Sequence, residues 1–211
     1  MTSTTPADLD VTYDFVGIID FLPDRDRKTY GLGDKLVTLL NRNRVAWQQL
    51  NCLNKQGFAQ ALLHFAKESK KGKAFGLQLI GHGDSSGLVM PEGPIMAWHN
   101  IAPGFRAFDP NILSQCILNL SCCFGLNGIK ITDHLPDAGR FFGVLGPSRP
   151  IGFDEAYKVN SKIYRKWAEG MKFNDIIREV NKEFGKQILY GLTSQGYHTF
   201  KVKSGKSQKP V

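Results

Sequence analysis

No apolar run in this 211-residue chain is long enough to cross a bilayer, and the opening MTSTTPADLD has neither the basic nor the apolar segment of a secretion signal. Both absences set the expectation of a cytoplasmic protein that does not engage a membrane. Cysteine is scarce as well. Cys52, Cys116, Cys122 and Cys123 are the four, and without a secretion signal they are expected as free thiols. Adjacent Cys122 and Cys123 lack the two-residue gap that closes a Cys-x-x-Cys turn on zinc, and no stretch has the ligand spacing of a calcium loop. No metal and no cofactor is expected. Internal repeats are also missing.

Present instead is the composition of an ordinary globular domain, 42% hydrophobic and 22% charged. The formal charge is +8, and Lys201, Lys203, Lys206 and Lys209 supply half of it. Residues 201–211 are therefore read as a flexible basic tail, 1–10 as a flexible leader and 11–200 as one domain. A second basic cluster, KESKKGK at 67–73, raises nucleic acid as a partner. Cations at a helix carboxyl end also answer the macrodipole, so nucleic acid is not expected as a direct ligand.

Apolar runs rich in β-branched and aromatic residues alternate with segments of helical periodicity. Strands are expected over 11–20, 45–50, 74–80, 115–121 and 140–146. Between the first three, Leu32, Leu36, Leu39 and Leu40 make one helix face. Phe58, Leu62, Phe65 and Ala66 make another, with Asn54 as its cap. Two short apolar pieces around Pro91–Pro94 signal a hairpin. The last third reads as two helices, marked by Ala156, Val159, Ile163 and Trp167, then by Ile176, Ile177, Val180 and Phe184 after a cap at Asn174. The pattern predicts an α/β fold, a three-layer αβα sandwich with a mostly parallel central sheet. Active sites in such sheets lie beyond the carboxyl ends of the strands.

That edge receives LIGHGDSSG, residues 79–87, which has two readings. As Gly-x-Ser-x-Gly it would present Ser85 as the nucleophile of a serine hydrolase, but a nucleophile elbow passes directly into a helix and this segment passes into the hairpin. As a strand ending in His-Gly it offers His82 as a base, and the strand ILNLS delivers Cys122 and Cys123 to the same edge. A thiol in water titrates at about 8.5, so a neighbouring imidazole that draws off its proton makes a nucleophile available near neutrality. Gly83, without a side chain, leaves its N–H open to a substrate carbonyl, and with the Cys123 amide it could complete an oxyanion hole. Cys52 and Cys116 are assigned to the core. His64, His99, His134 and His198 do not follow central strands and read as structural.

LQLIGHGD together with ILNLSCCFG resembles the clan CD cysteine peptidases, the group of caspases, metacaspases, gingipains, separases and bacterial CHAT peptidases. The hairpin after His-Gly and the segment VLGPSRPIGFDEA before IYRKWAEGM extend the resemblance from about Val11 to about Phe184. It implies a caspase-like fold and hydrolysis of protein or peptide substrates through a His82–Cys123 dyad. Aligning L-S-C-C on the family pattern puts Cys122 at the small-residue position and Cys123 at the nucleophile. The family's first-subsite regions correspond here to Asp20, Asp24, Ser121 and Asp154, and the three carboxylates among them would favour a basic residue before the cut. Arg149 points instead toward an acidic one, and Asp24 and Asp154 also read as turn and cap residues. The resemblance further implies a regulated setting, bacterial defence or cell death, with an activating sensor as partner. The alternatives are a catalytically silent caspase-like interaction module and, third, the Ser85 hydrolase.

Overall fold

The alternation of strand-like and helix-like segments builds the expected sheet. In the computed structural model, which describes residues 12–206, β1 (Phe15–Asp20) leads into α1 (Asp24–Tyr30), α2 (Leu32–Arg42), β2 (Trp47–Asn51), α3 (Lys55–Ser69) and β3 (Phe75–Ile80). A small hairpin sheet follows, formed by β4 (His82–Gly83), β5 (Gly87–Val89) and β6 (Met96–Ala97), then α4 (Trp98–Phe105) and α5 (Pro110–Leu113). Next comes β7 (Ile117–Ser121), a 3₁₀ stretch over Gly125–His134, and β8 (Gly143–Gly146). The chain continues with α6 (Phe153–Ala168), α7 (Phe173–Glu183), β9 (Tyr190–Thr193) and α8 (Ser194–Lys206). The leader assigned to 1–10 lies outside the described residues, as do 207–211; residues 201–206 are the last turns of α8.

The large sheet has the order β2-β1-β3-β7-β8-β9, parallel except for β9, which pairs antiparallel with β8. Alternation along each strand sorts the side chains to two faces. Phe15, Ile19, Leu77, Leu79, Leu118 and Leu120 pack with α3 and α4, while Val16, Ile18 and Ile80 meet α2 and α6. The result is a three-layer αβα sandwich, α6 and α7 closing the second face over Ile117 and Leu145. Gly17 is one of the positions where this packing excludes a side chain, because a methyl group there would stand 2.7 Å from the Phe65 ring.

Local signals explain most helix ends. The Asn54 side chain accepts the Gly57 N–H at 3.0 Å and starts α3, as the sequence predicts. The lysines that end α3 are neutralised by Glu68, which pairs with Lys71 and Lys73, so the 67–73 cluster is a partly self-compensated charge patch. Several features depart from the expectation. α1, α4, α5 and α8 fall where no helix is predicted, α7 begins before Asn174 with Lys172 at its cap, and the last third contains the edge strand β9.

Between the sheet and α6 lies a buried polar network. The Gln78 amide donates to the Ser121 hydroxyl at 2.8 Å and to the Asn119 carbonyl at 3.1 Å, while its oxygen accepts from Asn119 at 2.7 Å and from the Tyr164 hydroxyl at 2.9 Å. Asn160 on α6 donates to Ser121 at 2.6 Å and accepts from Asn119 at 3.2 Å. Every hydrogen bond of a buried network that loses its partner leaves a desolvated group behind. Gln78→Ala is accordingly expected to destabilise the fold by about 3 kcal/mol and Tyr164→Phe by about 1 kcal/mol in urea unfolding, and equal midpoints for all three proteins would contradict the account.

Acid should also weaken the fold. Hydrogen bonds from Lys71 and Lys73 hold the Glu68 carboxyl down to about 2, and the Ser86 hydroxyl and N–H hold that of Asp84 below its ordinary value. Folded values below unfolded ones mean stability fully present above about pH 5 and lost as the pH falls through the folded values. The urea midpoint should therefore drop between neutral pH and about pH 3; a midpoint that rises on acidification would contradict this.

Candidate active site

The register of the two central strands sets the site. β3 and β7 are adjacent and parallel, with Ile80 opposite Ser121, so His82 and Gly83 emerge beside Cys122 and Cys123 at the carboxyl edge. Packing explains the glycines that flank His82. A methyl group on Gly81 would stand 2.0 Å from the Phe21 ring. One on Gly83 would stand 2.8 Å from the Cys123 carbonyl oxygen and 3.0 Å from the Cys122 sulfur. The two loops therefore touch, and Gly83 is required by close approach as well as by any role of its N–H.

The two cysteines differ sharply in environment. Cys122 is 2% exposed, and burial pushes its thiol well above the ordinary range. Cys123 is half-buried. Its sulfur accepts the Ile151 N–H at 3.5 Å and its thiol donates to the Ile151 carbonyl at 3.8 Å. Directly after it, Phe124 takes a left-handed backbone conformation with φ of 56°, its N–H bound by the Arg149 carbonyl at 3.2 Å. A non-glycine residue in that region stores strain of about 1–3 kcal/mol, which the packed turn around it must hold.

His82 brings a partner that the sequence did not reveal. Its Nε2 lies 2.8 Å from the Asp26 carboxylate on α1, and its ring meets Phe153 edge-on at 5.6 Å. A carboxylate only accepts, so this bond puts the proton on Nε2 and leaves Nδ1 for proton exchange. α1 is itself pinned: Arg27 donates to the Leu22 carbonyl at 2.9 Å, to the Asp20 carbonyl at 3.3 Å and to the Asp24 carboxylate at 2.7 Å. The sequence pattern assigns no element to PDRDRKTY; Pro23 followed by two acidic residues in a first turn is the helix-start signal that could have found Asp26.

The four residues assigned to a substrate pocket differ in environment. Asp20 is fully buried; one oxygen accepts the Leu22 N–H at 2.9 Å and faces Arg27, and the other lies close against Gly33 of α2. Burial raises its carboxyl pKa against the pull of Leu22 and Arg27. Ser121 is buried with its hydroxyl held by Gln78 and Asn160. Neither of these two offers a free polar atom at an open surface. Asp24 is exposed and tied to Arg27, and Asp154 is exposed in the first turn of α6. Arg149, the opposing charge, is engaged by both oxygens of Glu155 at 3.0 and 3.3 Å.

Ser85 sits exposed in the turn between β4 and β5, where Asp84 binds the Ser86 and Gly87 N–H groups, and a strand follows it. The helix that a serine nucleophile needs is not there. Cys52 and Cys116 are buried, their thiols each pushed up to about 12 by burial, as core residues. His64 bonds Gln48 and His198 bonds Thr132, both away from this edge. A cavity of about 460 Å³ lined by Tyr13, Asn43, Arg44, Trp167, Met171 and Phe173 opens at the opposite, amino-terminal edge of the sheet and takes no part.

Among the described residues no group of three or more His, Cys, Asp or Glu side chains is arranged to hold a metal, and no helix is long and apolar enough to cross a membrane. No protein-family model matches the chain, and a search of curated proteins finds no significant match. The functional reading therefore stands on the geometry.

Limited alkylation of the native protein should label Cys123 before Cys122, Cys116 or Cys52, as their burial dictates; labelling led by any of the other three would contradict the placement. Gly83→Ala is expected to cost about 1–3 kcal/mol of stability by forcing the two loops apart, and an unchanged melting temperature would show that they do not touch.

Proposed function

We propose that this chain is a cysteine endopeptidase of the caspase and CHAT-like kind, working through His82 and Cys123. The observation that carries the reading is the contact between two loops at the ends of adjacent parallel strands, one bearing imidazole and the other a half-buried thiol. Between the vicinal cysteines the choice falls on Cys123, because the Cys122 sulfur is enclosed and its thiolate strongly disfavoured.

In the proposed reaction Nδ1 of His82 takes the Cys123 proton and the sulfur attacks the scissile carbonyl carbon. The amides of Gly83 and Cys123 steady the oxyanion. As the intermediate collapses the carbon–nitrogen bond breaks, and His82 returns the proton to the leaving amine. A water molecule, deprotonated by His82, then attacks the thioester and releases the acid and the thiol. Asp26 holds the imidazole in the tautomer that this sequence needs.

For substrate choice, the exposed carboxylate of Asp154 favours a basic residue before the cut, while Arg27 offsets the charge of Asp24 and Glu155 that of Arg149. A cytoplasmic defence or cell-death setting with an activating sensor follows from the family resemblance. A second reading, a silent interaction module, is favoured by one observation: the Cys123 thiol bonds Ile151 and shares no hydrogen bond with His82. Substrate-free catalytic hydrogen bonds are commonly open and tighten only in the complex.

Cleavage of a mixed peptide library separates the readings. Cys123→Ala and His82→Ala should each lower kcat/KM by about 10³-fold or more, Asp26→Asn by about 10²-fold, and Cys122→Ala and Ser85→Ala by little. Cleavage that survives Cys123→Ala, or that disappears with Ser85→Ala alone, overturns the cysteine mechanism.

A further inference from the structure

We propose that the segment from Arg149 to Phe153 is a strap that holds the reacting pair apart in a closed resting state, and that a ligand opens the site by displacing it. The proposal rests on the reading of Cys123 and His82 as that pair. Its basis is that one short segment touches both. At Ile151 the backbone N–H and carbonyl together occupy the Cys123 thiol as acceptor and donor. Two residues later Phe153 stands against the His82 ring and stacks on Tyr30, with centroids 4.0 Å apart and planes within 17°.

The strap is clamped at both ends, and its contact with Tyr30 is the light one. The Arg149 carbonyl binds the Phe124 N–H, and the Arg149 guanidinium grips Glu155 in the first turn of α6, which Lys186 also pairs at 2.7 Å. Phe153 rests partly on the core of the second face and is only partly buried, while Tyr30 is 40% exposed, so their stack is a surface contact that an incoming apolar group can replace. A ligand that binds only with the stack broken shifts the population toward the open form by its own affinity for that form. In the open form the thiol loses its Ile151 partners and is free to meet Nδ1 of His82.

The test is the iodoacetamide alkylation rate of Cys123 in the full chain, read by peptide mass spectrometry at one pH for wild type, Phe153→Ala, Tyr30→Ala and the distant surface control Leu63→Ala. The expected result is acceleration of about three- to tenfold in both strap variants, the size of effect that losing one aromatic pair produces, with the control unchanged. If Phe153→Ala unfolds, buried Cys116 and Cys52 are labelled as well, and Tyr30→Ala alone decides. Wild-type rates in Tyr30→Ala and in a folded Phe153→Ala overturn the strap. Peptide cleavage by the same variants is read separately: faster alkylation without cleavage leaves the strap standing and removes the peptidase reading, while cleavage at an unchanged alkylation rate does the reverse.

Discussion

The pairing of β3 with β7 is the constraint on which the rest of the structure depends. A one-residue slip would move every side chain to the other face, and a two-residue slip, which keeps the faces, would still separate His82 from Cys123. Apolar packing alone specifies such a register loosely, since Leu77, Leu79, Leu118 and Leu120 are interchangeable in character. The amide network supplies what they lack. Gln78 reaches Asn119 and Ser121 only in the observed pairing, and Asn160 and Tyr164 tie that pairing to α6. Ser121 is thus the last residue of the network before the cysteines, its hydroxyl held by Gln78 and Asn160.

A second constraint places the other side of the site. Asp20 ends β1 inside the protein, and a buried carboxylate needs compensation. Arg27 provides part of it and, by also binding the Leu22 carbonyl, fixes α1 across the carboxyl edge of the sheet. Asp26, the preceding residue, then meets His82. The arrangement links the buried Asp20–Arg27 pair to the hydrogen bond between Asp26 and His82. The same economy marks α6, whose body carries Asn160 and Tyr164 into the network while its first residue, Phe153, lies on the His82 ring.

Much of this was legible in the sequence because it is local. Strand and helix positions follow from periodicity, the start of α3 from Asn54, and the hairpin from its turn residues. The meeting of His-Gly with Cys-Cys follows from the rule that parallel strands deliver their carboxyl ends to one edge. Burial is less legible because it is a property of the assembled layers: Asp20 and Asp24 look alike in DFLPDRD, yet one is enclosed and the other faces solvent. Asp26 was hidden because its meaning depends on a residue 56 positions away. β9 escaped because YGLT is a short edge strand whose identity comes from β8 beside it rather than from its own pattern.

The claim at the centre of this account is that His82 activates Cys123. It is tested most directly by treating the full chain and its His82→Ala variant with a mixed set of peptidyl acyloxymethyl ketones and locating the adduct by mass spectrometry. The account predicts one adduct, on Cys123, that forms in the wild type and is lost with His82. An adduct that forms equally without His82, or that falls on Cys122 or Ser85, would contradict it.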